Sequence, residues 1–184
     1  MGIKEYFNYC NKVNGNRQKE GLAPFKPIFG CEMYVVEGDA ADEKQRTREE
    51  RRYHLIVLAK NQKGYKNLIK LVSKAWTDGF YNRPRTDHQL LEQYHEGLII
   101  CSACLAGEIP HHIISGNVQR AEEVMLWYKG VFGDDYYLEL QRHEVTNPMQ
   151  RANREAFPLQ QEANKAIIEL AHKHGIKYIC SNDV

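Results

Sequence analysis

The sequence has no apolar run long enough to cross a membrane, and this absence excludes one class of protein at once. A helix that spans a bilayer needs about 20 consecutive apolar residues, and no run in the chain approaches that length. The N-terminus also lacks the basic-then-apolar pattern of a secretory signal peptide. The sequence therefore predicts a cytoplasmic protein.

An excess of charge of either sign is also missing. The chain has 25 Lys and Arg residues against 24 Asp and Glu residues, which leaves a formal net charge of +1. This balance gives no global electrostatic reason to bind nucleic acid, so such binding would need a local patch. With 42% apolar and 27% charged residues, the composition is that of an ordinary folded domain. We find no internal repeat or low-complexity tract, and we expect one domain over residues 1–184.

Disulfide pairing has little support, because the five cysteines are an odd number. Cys10, Cys31, Cys101 and Cys180 lie in apolar, periodic surroundings, which predicts buried free thiols in a reducing compartment. Cys101 and Cys104 form a C-x-x-C pair, but no second pair or nearby histidine follows at the spacing of a structural zinc site. A redox role for this pair is a minor alternative, since no thioredoxin-like context surrounds it.

Apolar periodicity predicts short strands that alternate with helices. The predicted extended segments are residues 26–36, 53–59, 98–101, 136–140 and 177–180. The predicted helices are residues 1–13, 64–76, 88–94, 108–114, 118–131 and 147–174. Residues 14–24 and 78–87 are predicted loops, and the polar stretch 38–52 is a predicted mobile loop. This alternation indicates an α/β fold with a largely parallel sheet, either open or closed into a barrel.

Four residues next to apolar runs are candidates for metal or substrate binding, because ligands gather at the carboxyl ends of strands in such folds. They are Glu32, His54, Cys104 and Asp183. Taken singly, each of the first two residues also has an explanation without a metal. Glu32 could be exposed at a sheet edge or paired with an arginine, and His54 could be a hydrogen-bonded core histidine. Cys104 opens a helix, whose N-terminus favours the thiolate that zinc binds. His54 opens its run rather than ending it, a conflict that would disappear if Glu32 and His54 lay on antiparallel strands.

Further polar residues are weaker candidates. His143, three positions past a predicted strand, is a candidate for a contact to substrate or to a metal ligand, with solvent exposure as the alternative. Arg83 and Arg85 lie in a loop with aromatic residues, a mixture that suits phosphate or bases and equally suits a solvated loop. His111 and His112 are neighbours on a helix, where their side chains diverge by about 100° and do not share one metal easily. We expect these two histidines on the surface.

Six ordered segments of the chain closely resemble the PHP (polymerase and histidinol phosphatase) domain of the bacterial replicative DNA polymerase III alpha subunit. The resemblance runs over nearly the whole chain and rests on residues 30–35, 53–61, 64–68, 102–108, 132–140 and 181–184. It implies a fragment of a distorted seven-stranded (βα) barrel that lacks its first strands, so that the chain is a PHP domain truncated at both ends.

The resemblance also implies a cluster of up to three metal ions, zinc or manganese, held by about nine ligands. By motif, Glu32 would be a bridging carboxylate, His54 an imidazole ligand, Cys104 a thiolate ligand and Asp183 a carboxylate ligand. The remaining family ligands would precede Met1 or stand at position 185.

The function that the resemblance implies is metal-dependent phosphodiester hydrolysis, a 3′–5′ exonuclease that proofreads during DNA replication when all ligands are intact. The parent would be a DNA-directed DNA polymerase, a nucleotidyltransferase, with DNA, a proofreading exonuclease and a sliding clamp as partners. Nucleotide addition would lie elsewhere, because no pair of clustered aspartates suits polymerase chemistry, and the fragment alone is expected to be inactive. Two alternatives stay open: a structural and docking domain for the polymerase and a separate exonuclease, or a stand-alone PHP phosphoesterase.

Overall fold

The part of the chain that the computed structural model describes, residues 2–45, 47 and 50–182, contains six strands and six α-helices. The helices are α1 Gly2–Lys19, α2 Gln62–Thr77, α3 His88–Gln93, α4 Glu108–Ile114, α5 Val118–Phe132 and α6 Phe157–His174. The strands are β1 Gly30–Val36, β2 Tyr53–Ala59, β3 Arg85–Asp87, β4 Leu98–Cys101, β5 Tyr136–Gln141 and β6 Lys177–Ser181. The predicted α/β class is confirmed.

The described strands form one mixed sheet in the order β3-β1-β2-β4-β5-β6. Strand β2 is antiparallel to both of its neighbours, β1 and β4. The other pairings, β1 with β3, β4 with β5 and β5 with β6, are parallel. The prediction of a largely parallel sheet is therefore corrected, because β1 and β2 are joined without the helical crossover that parallel neighbours need. A seven-stranded closed barrel stays a prediction.

Strand β3 lies inside the segment that the sequence predicted as a loop. Its three residues, Arg85, Thr86 and Asp87, are polar, yet each is less than 5% exposed. They pair in parallel with Tyr34 to Val36 of β1. Strand signals in sequence come from apolar and β-branched residues, so a buried polar strand leaves almost no such signal.

Helix α1 continues beyond its predicted end at Val13 to Lys19, through a stretch predicted as a loop. The side chain of Asn14 bonds the returning chain in both directions. Its Nδ2 donates to Phe25 O over 2.8 Å, and Phe25 N donates to its Oδ1 over 2.6 Å. Arg17 adds a bond from Nε to Ala23 O over 2.7 Å. These polar residues extend the helix because their side chains bond the segment that follows it.

The core lies between the sheet and helices α2, α4, α5 and α6. Alternate residues of β2 point to opposite faces of the sheet: Leu55 and Val57 are buried among the helices, while His54 stays partly exposed on the other face. The strands and helices supply the most deeply buried apolar residues, namely Val35, Val57, Leu71, Leu91, Ile100, Ala121, Met125 and Leu138. This packing leaves one face of β1 and β2 available for a site.

None of the five cysteines forms a disulfide, but only some of them are buried as predicted. Cys10 and Cys101 are buried, Cys31 is half-buried, and Cys180 is exposed. Cys180 belongs to β6, which lies at the edge of the described sheet, and this position explains the correction. Among the described residues, no helix has the length and apolar character of a membrane span.

The predicted mobile loop at residues 38–52 includes positions 46, 48 and 49, which lie outside the described residues. Its described parts contact the sheet. The N–H of buried Ala40 donates to Asp87 Oδ2 over 3.0 Å, and the Glu50 carboxylate pairs with Arg85. The mobility of this loop stays a prediction.

Candidate metal centre

The structure brings Glu32, His54 and Cys104 together, although they are far apart in sequence. The Nδ1 atom of His54 lies 2.7 Å from Glu32 Oε1 and 3.5 Å from Cys104 Sγ. One potential ligand atom from each residue lies within 4.8 Å of the other two. A carboxylate, an imidazole and a thiol that converge in this way form a donor set able to hold a metal ion.

The antiparallel pairing of β1 with β2 explains how Glu32 reaches His54. In the register of these strands, Glu32 is opposite Ile56 and Tyr34 is opposite His54. Glu32 and His54 are therefore diagonal cross-strand neighbours on one face of the sheet, within the reach of long side chains. The two strands run in opposite directions, so the conflict over His54 opening its strand is resolved.

A tight turn after β4 positions Cys104. Ala103 adopts φ 62°, a left-handed conformation that is uncommon outside glycine. Its N–H donates to Glu139 Oε2 over 2.5 Å, and Ser102 Oγ accepts from the N–H of Glu139 over 2.8 Å. A Cβ atom at Gly107 would lie 2.1 Å from Ser102 O, so the close return of the chain requires glycine there.

Glu139 also connects this turn to the last strand. Its Oε1 accepts a hydrogen bond from Ser181 Oγ over 2.6 Å, at the end of β6. Glu139 is only 7% exposed, and its bonds to Ala103 and Ser181 satisfy the buried carboxylate. Glu139 was not among the candidate residues predicted from the sequence. The sequence signal that could have identified it is an acidic residue between two leucines in the predicted strand 136–140.

A cleft of about 500 Å³ opens beside His54. It is lined by three arginines together with polar and aromatic residues, namely Tyr34, Glu50, Arg51, Arg52, His54 and Arg83. Arginine side chains bind phosphate groups through paired N–H donors. These three arginines form a local positive patch at the cleft. The balanced net charge of the whole chain did not exclude such a patch.

The predicted contact residues have different surroundings. Arg83 is exposed and lines the cleft. Arg85 is fully buried: its guanidinium donates to Gly79 O over 2.9 Å and to Ala40 O over 2.8 Å, and pairs with Glu50. Arg85 thus fastens the 38–52 loop to β3.

His143 is half-buried beyond β5. Its backbone N–H donates to Gln160 Oε1 over 2.8 Å, and its ring Nδ1 lies 2.8 Å from Gln160 Nε2. Gln160 lines a small cavity together with Cys104 and Glu139, so His143 contacts a residue that shares this cavity with Cys104. Asp183 lies outside the described residues, and its role as a ligand stays a prediction.

Cys101 is unsuited to be the attacking thiolate of the C-x-x-C pair in this structure. Burial, reinforced by the negative charge of Glu139, raises the pKa of the Cys101 thiol to about 12. Thiol–disulfide exchange needs a thiolate, and Cys101 is protonated at neutral pH. Cys101 therefore packs as a core residue, as the sequence predicted, and Cys104 is the member available to a metal.

Comparison with known proteins gives a consistent family match. The family model described as PHP domain matches residues 1–143. DNA polymerase III subunit alpha of Borreliella burgdorferi is 41% identical over 161 residues, and that of Aquifex aeolicus is 41% identical over 163 residues. These alignments cover 88% and 86% of the chain but only 13% of each relative. The same subunit of Chlamydia trachomatis is 34% identical over 100% of the chain and 15% of its own length.

Proposed function

Because the chain belongs to the PHP domain family, we propose that it is the metal-binding part of a DNA polymerase III alpha subunit and serves phosphodiester hydrolysis during DNA replication. The observation that carries the proposal is the convergence of Glu32, His54 and Cys104 within 4.8 Å. The arginine-lined cleft beside His54 supports a phosphate-containing substrate. The similarity to named polymerase subunits supports the replication context.

The donor set fits zinc best. Thiolate and imidazole are ligands that zinc accepts readily, and a carboxylate completes a mixed site, whereas manganese favours oxygen donors. Glu32, His54 and Cys104 would hold the ion, with Asp183 as a further proposed ligand. When bound, the metal would supply a Lewis acid that polarises a phosphoryl oxygen and activates water for a 3′–5′ exonuclease reaction.

The chain's own residues would bind and orient the substrate. Arg51, Arg52 and Arg83 line the cleft and would hold the negative phosphodiester next to the centre. The ring of Tyr34 contacts that of His54 edge to face, with ring centroids 5.2 Å apart, and restricts its orientation. Glu139 would keep Cys104 in place through the Ala103 turn. These roles require no movement of the described strands.

A structural and docking role is the second candidate function. It is favoured by an apolar groove of about 660 Å³ between α1 and the start of α2, lined by aromatic residues that include Phe7, Phe29 and Tyr65. A replicase subunit or a separate proofreading exonuclease would fit there, with the sliding clamp and DNA as further partners of the parent. A stand-alone phosphoesterase has less support, because the relatives described above are polymerase subunits. The cytoplasmic location goes with the replication proposal.

The test compares Cys104→Ser with Cys180→Ser, since one cysteine belongs to the candidate centre and the other is exposed at the sheet edge. Each would be made in the complete polypeptide that contains this chain. We expect cleavage of 3′ ends of single-stranded DNA with added Zn²⁺ or Mn²⁺ to fall by at least about 100-fold for Cys104→Ser. Cys180→Ser should cleave like the unsubstituted protein.

Two results would decide against hydrolysis. If the unsubstituted protein binds metal but leaves DNA uncut, the docking role replaces the catalytic one. If both cysteine variants cleave equally well, the nuclease does not use this centre. Metal content, measured on the same samples by mass spectrometry, shows whether a variant with reduced cleavage has lost the metal ion or still binds it.

A further inference from the structure

A second group of metal-ligating side chains lies on the opposite side of β2 from the first. It consists of Glu37, just after β1, and Glu108 and His112 of α4, and one potential ligand atom from each lies within 4.8 Å of the others. Tyr53 donates from its hydroxyl to Glu37 Oε1 over 3.2 Å, and Tyr53 and His54 point to opposite faces of the strand. The group is therefore separate from the candidate centre at His54.

Glu108 is a buried carboxylate, and one of its oxygens has no hydrogen-bond partner among the described residues. The residue is 3% exposed. Its Oε2 lies 3.0 Å from His88 Nε2 and accepts from Tyr128 OH over 3.3 Å. Its Oε1 has no hydrogen-bond partner among the described residues. Leaving a buried carboxylate oxygen without a partner is costly, so this atom calls for a cation or donor that the described residues do not supply.

His112 presents the same deficiency on the same helix. It follows Glu108 by four residues, so both side chains lie along one face of α4. Its Nε2 is buried and lacks a hydrogen-bond partner within the described part of the chain. The nearest carboxylate oxygen, Glu37 Oε1, is 3.6 Å away, too far for a hydrogen bond. The expectation that His111 and His112 lie on the surface is corrected, because both rings pack against Tyr53.

Hydrogen bonds from neighbouring side chains orient the two carboxylates, as the outer contacts of metal ligands usually do. His88 and Tyr128 hold one oxygen of Glu108, and Tyr53 holds Glu37. Two carboxylates and a neutral imidazole carry a charge of −2, which a divalent cation neutralises.

An alternative is a metal-free ion pair between a protonated His112 and Glu37. The geometry does not favour this pairing, because His112 Nε2 and Glu37 Oε1 are 3.6 Å apart and Glu108 Oε1 would still lack a partner among the residues that the structure describes. Arg51 also approaches this region: after burial, its charge is the next cause that lowers the pKa of the neighbouring His111. Within the described part of the chain, the hydrogen bonds of Glu108 come from His88 and Tyr128 to Oε2, so Arg51 does not satisfy Oε1.

We propose that Glu37, Glu108 and His112 form a second divalent-metal site that takes Zn²⁺ and joins α4 to the end of β1. Zinc accepts both carboxylate oxygen and imidazole nitrogen. A metal there would fix the start of the 38–52 segment, which leads to Arg51 and Arg52 of the cleft. The role is structural, and the inference does not rest on the proposed hydrolysis.

The test is a metal titration of the chain that carries both His54→Ala and Cys104→Ser, which remove two donors of the first centre. We expect this double variant still to bind one equivalent of Co²⁺ or Zn²⁺. Its Co²⁺ spectrum should lack the thiolate charge-transfer band that Cys104 would contribute in the unsubstituted chain. Failure of the double variant to bind either metal would overturn the proposal.

A second step assigns the ligands. In the double variant, adding Glu37→Gln or His112→Gln should weaken metal binding by at least about 100-fold. His111→Gln is the matched control and should leave the affinity unchanged, because this neighbouring histidine is outside the group. Equal affinity in the His111 and His112 variants would count against the site.

Urea unfolding distinguishes a variant that has lost a metal-binding side chain from one that no longer folds. Because the Glu37 side chain is 51% exposed, Glu37→Gln should unfold like the double variant when excess EDTA is present. Zinc should raise the unfolding midpoint of the double variant and leave that of the added Glu37→Gln variant unchanged. An equal shift by zinc in both proteins would overturn the assignment of Glu37.

Discussion

The backbone N–H of Ala103 donates to Glu139 Oε2 over 2.5 Å. This bond stabilises a left-handed residue immediately before Cys104, and it does so from a different strand. The position of the candidate thiolate ligand is thus determined by β5 as well as by its own loop. Loss of the Glu139 carboxylate should consequently affect both stability and metal affinity.

Replacing Glu139 by Ala should lower the free energy of unfolding by about 2–3 kcal/mol, because the Ala103 N–H and the Ser181 hydroxyl lose their acceptor in a buried place. Glu139→Gln keeps one carbonyl acceptor and should cost about 1 kcal/mol. Urea denaturation measures both. Glu169→Ala, at an exposed position of α6, is the control and should stay within about 0.5 kcal/mol. Equal stability of the two alanine variants would contradict the role of Glu139.

The sequence predicted much of the fold because apolar periodicity reports burial directly. Helix α3 begins at His88 as predicted, and strand β4 has its predicted limits at Leu98 and Cys101. Strand β3 was missed because its three buried residues are polar, and the side chains of Arg85 and Asp87 bond Ala40 of the 38–52 segment. The antiparallel direction of β2 was raised from the sequence only as the condition that would reconcile Glu32 with His54, since strand direction depends on how distant segments pack rather than on local pattern.

The two candidate metal groups differ in how they could be found. Glu32, His54 and Cys104 were candidates because they lie next to apolar runs, and the family resemblance assigned them to one metal cluster. Glu37 and His112 meet only because α4 packs beside the end of β1, which no local pattern encodes. His112 was predicted to be exposed, since helical geometry describes the direction of a side chain but not what covers it.

A pair of glycine substitutions tests the close packing of α2. A Cβ atom at Gly64 would lie 1.7 Å from the Gly97 carbonyl oxygen, so Gly64→Ala should destabilise the chain by about 3 kcal/mol. Gly130, inside α5, has open space where its Cβ would stand. Gly130→Ala should therefore stabilise by about 0.5–1 kcal/mol through better helix propensity. Thermal unfolding of both variants checks the opposite signs, and equal effects would refute the close approach.

Substitution of Arg85 should lower stability, whereas substitution of Arg83 should weaken DNA binding without a loss of stability. Arg85→Ala removes a buried guanidinium and leaves the Glu50 carboxylate and two backbone carbonyls without their donor, at a cost of about 3–5 kcal/mol. Arg83→Ala, at an exposed position, should change stability by less than about 0.5 kcal/mol. If Arg83 contacts phosphate, its loss should weaken binding of single-stranded DNA and reduce the salt dependence of that binding. Stability comes from urea titration and binding from fluorescence anisotropy, and unchanged binding would remove Arg83 from the cleft proposal.

Glu122 gives the chain a pH-dependent contact between α5 and α6. Hydrogen bonds from Lys173, at 2.7 Å, and from His174 lower the pKa of the Glu122 carboxyl below its ordinary value. A carboxyl whose folded pKa is depressed contributes stability above its unfolded pKa, and this contribution is lost as the pH falls through the folded pKa. Glu122→Gln should therefore destabilise the chain slightly at neutral pH and make no difference in acid below the folded pKa. Urea midpoints of both proteins across that range measure the change, and a constant difference at every pH would show that the carboxylate charge is not its source.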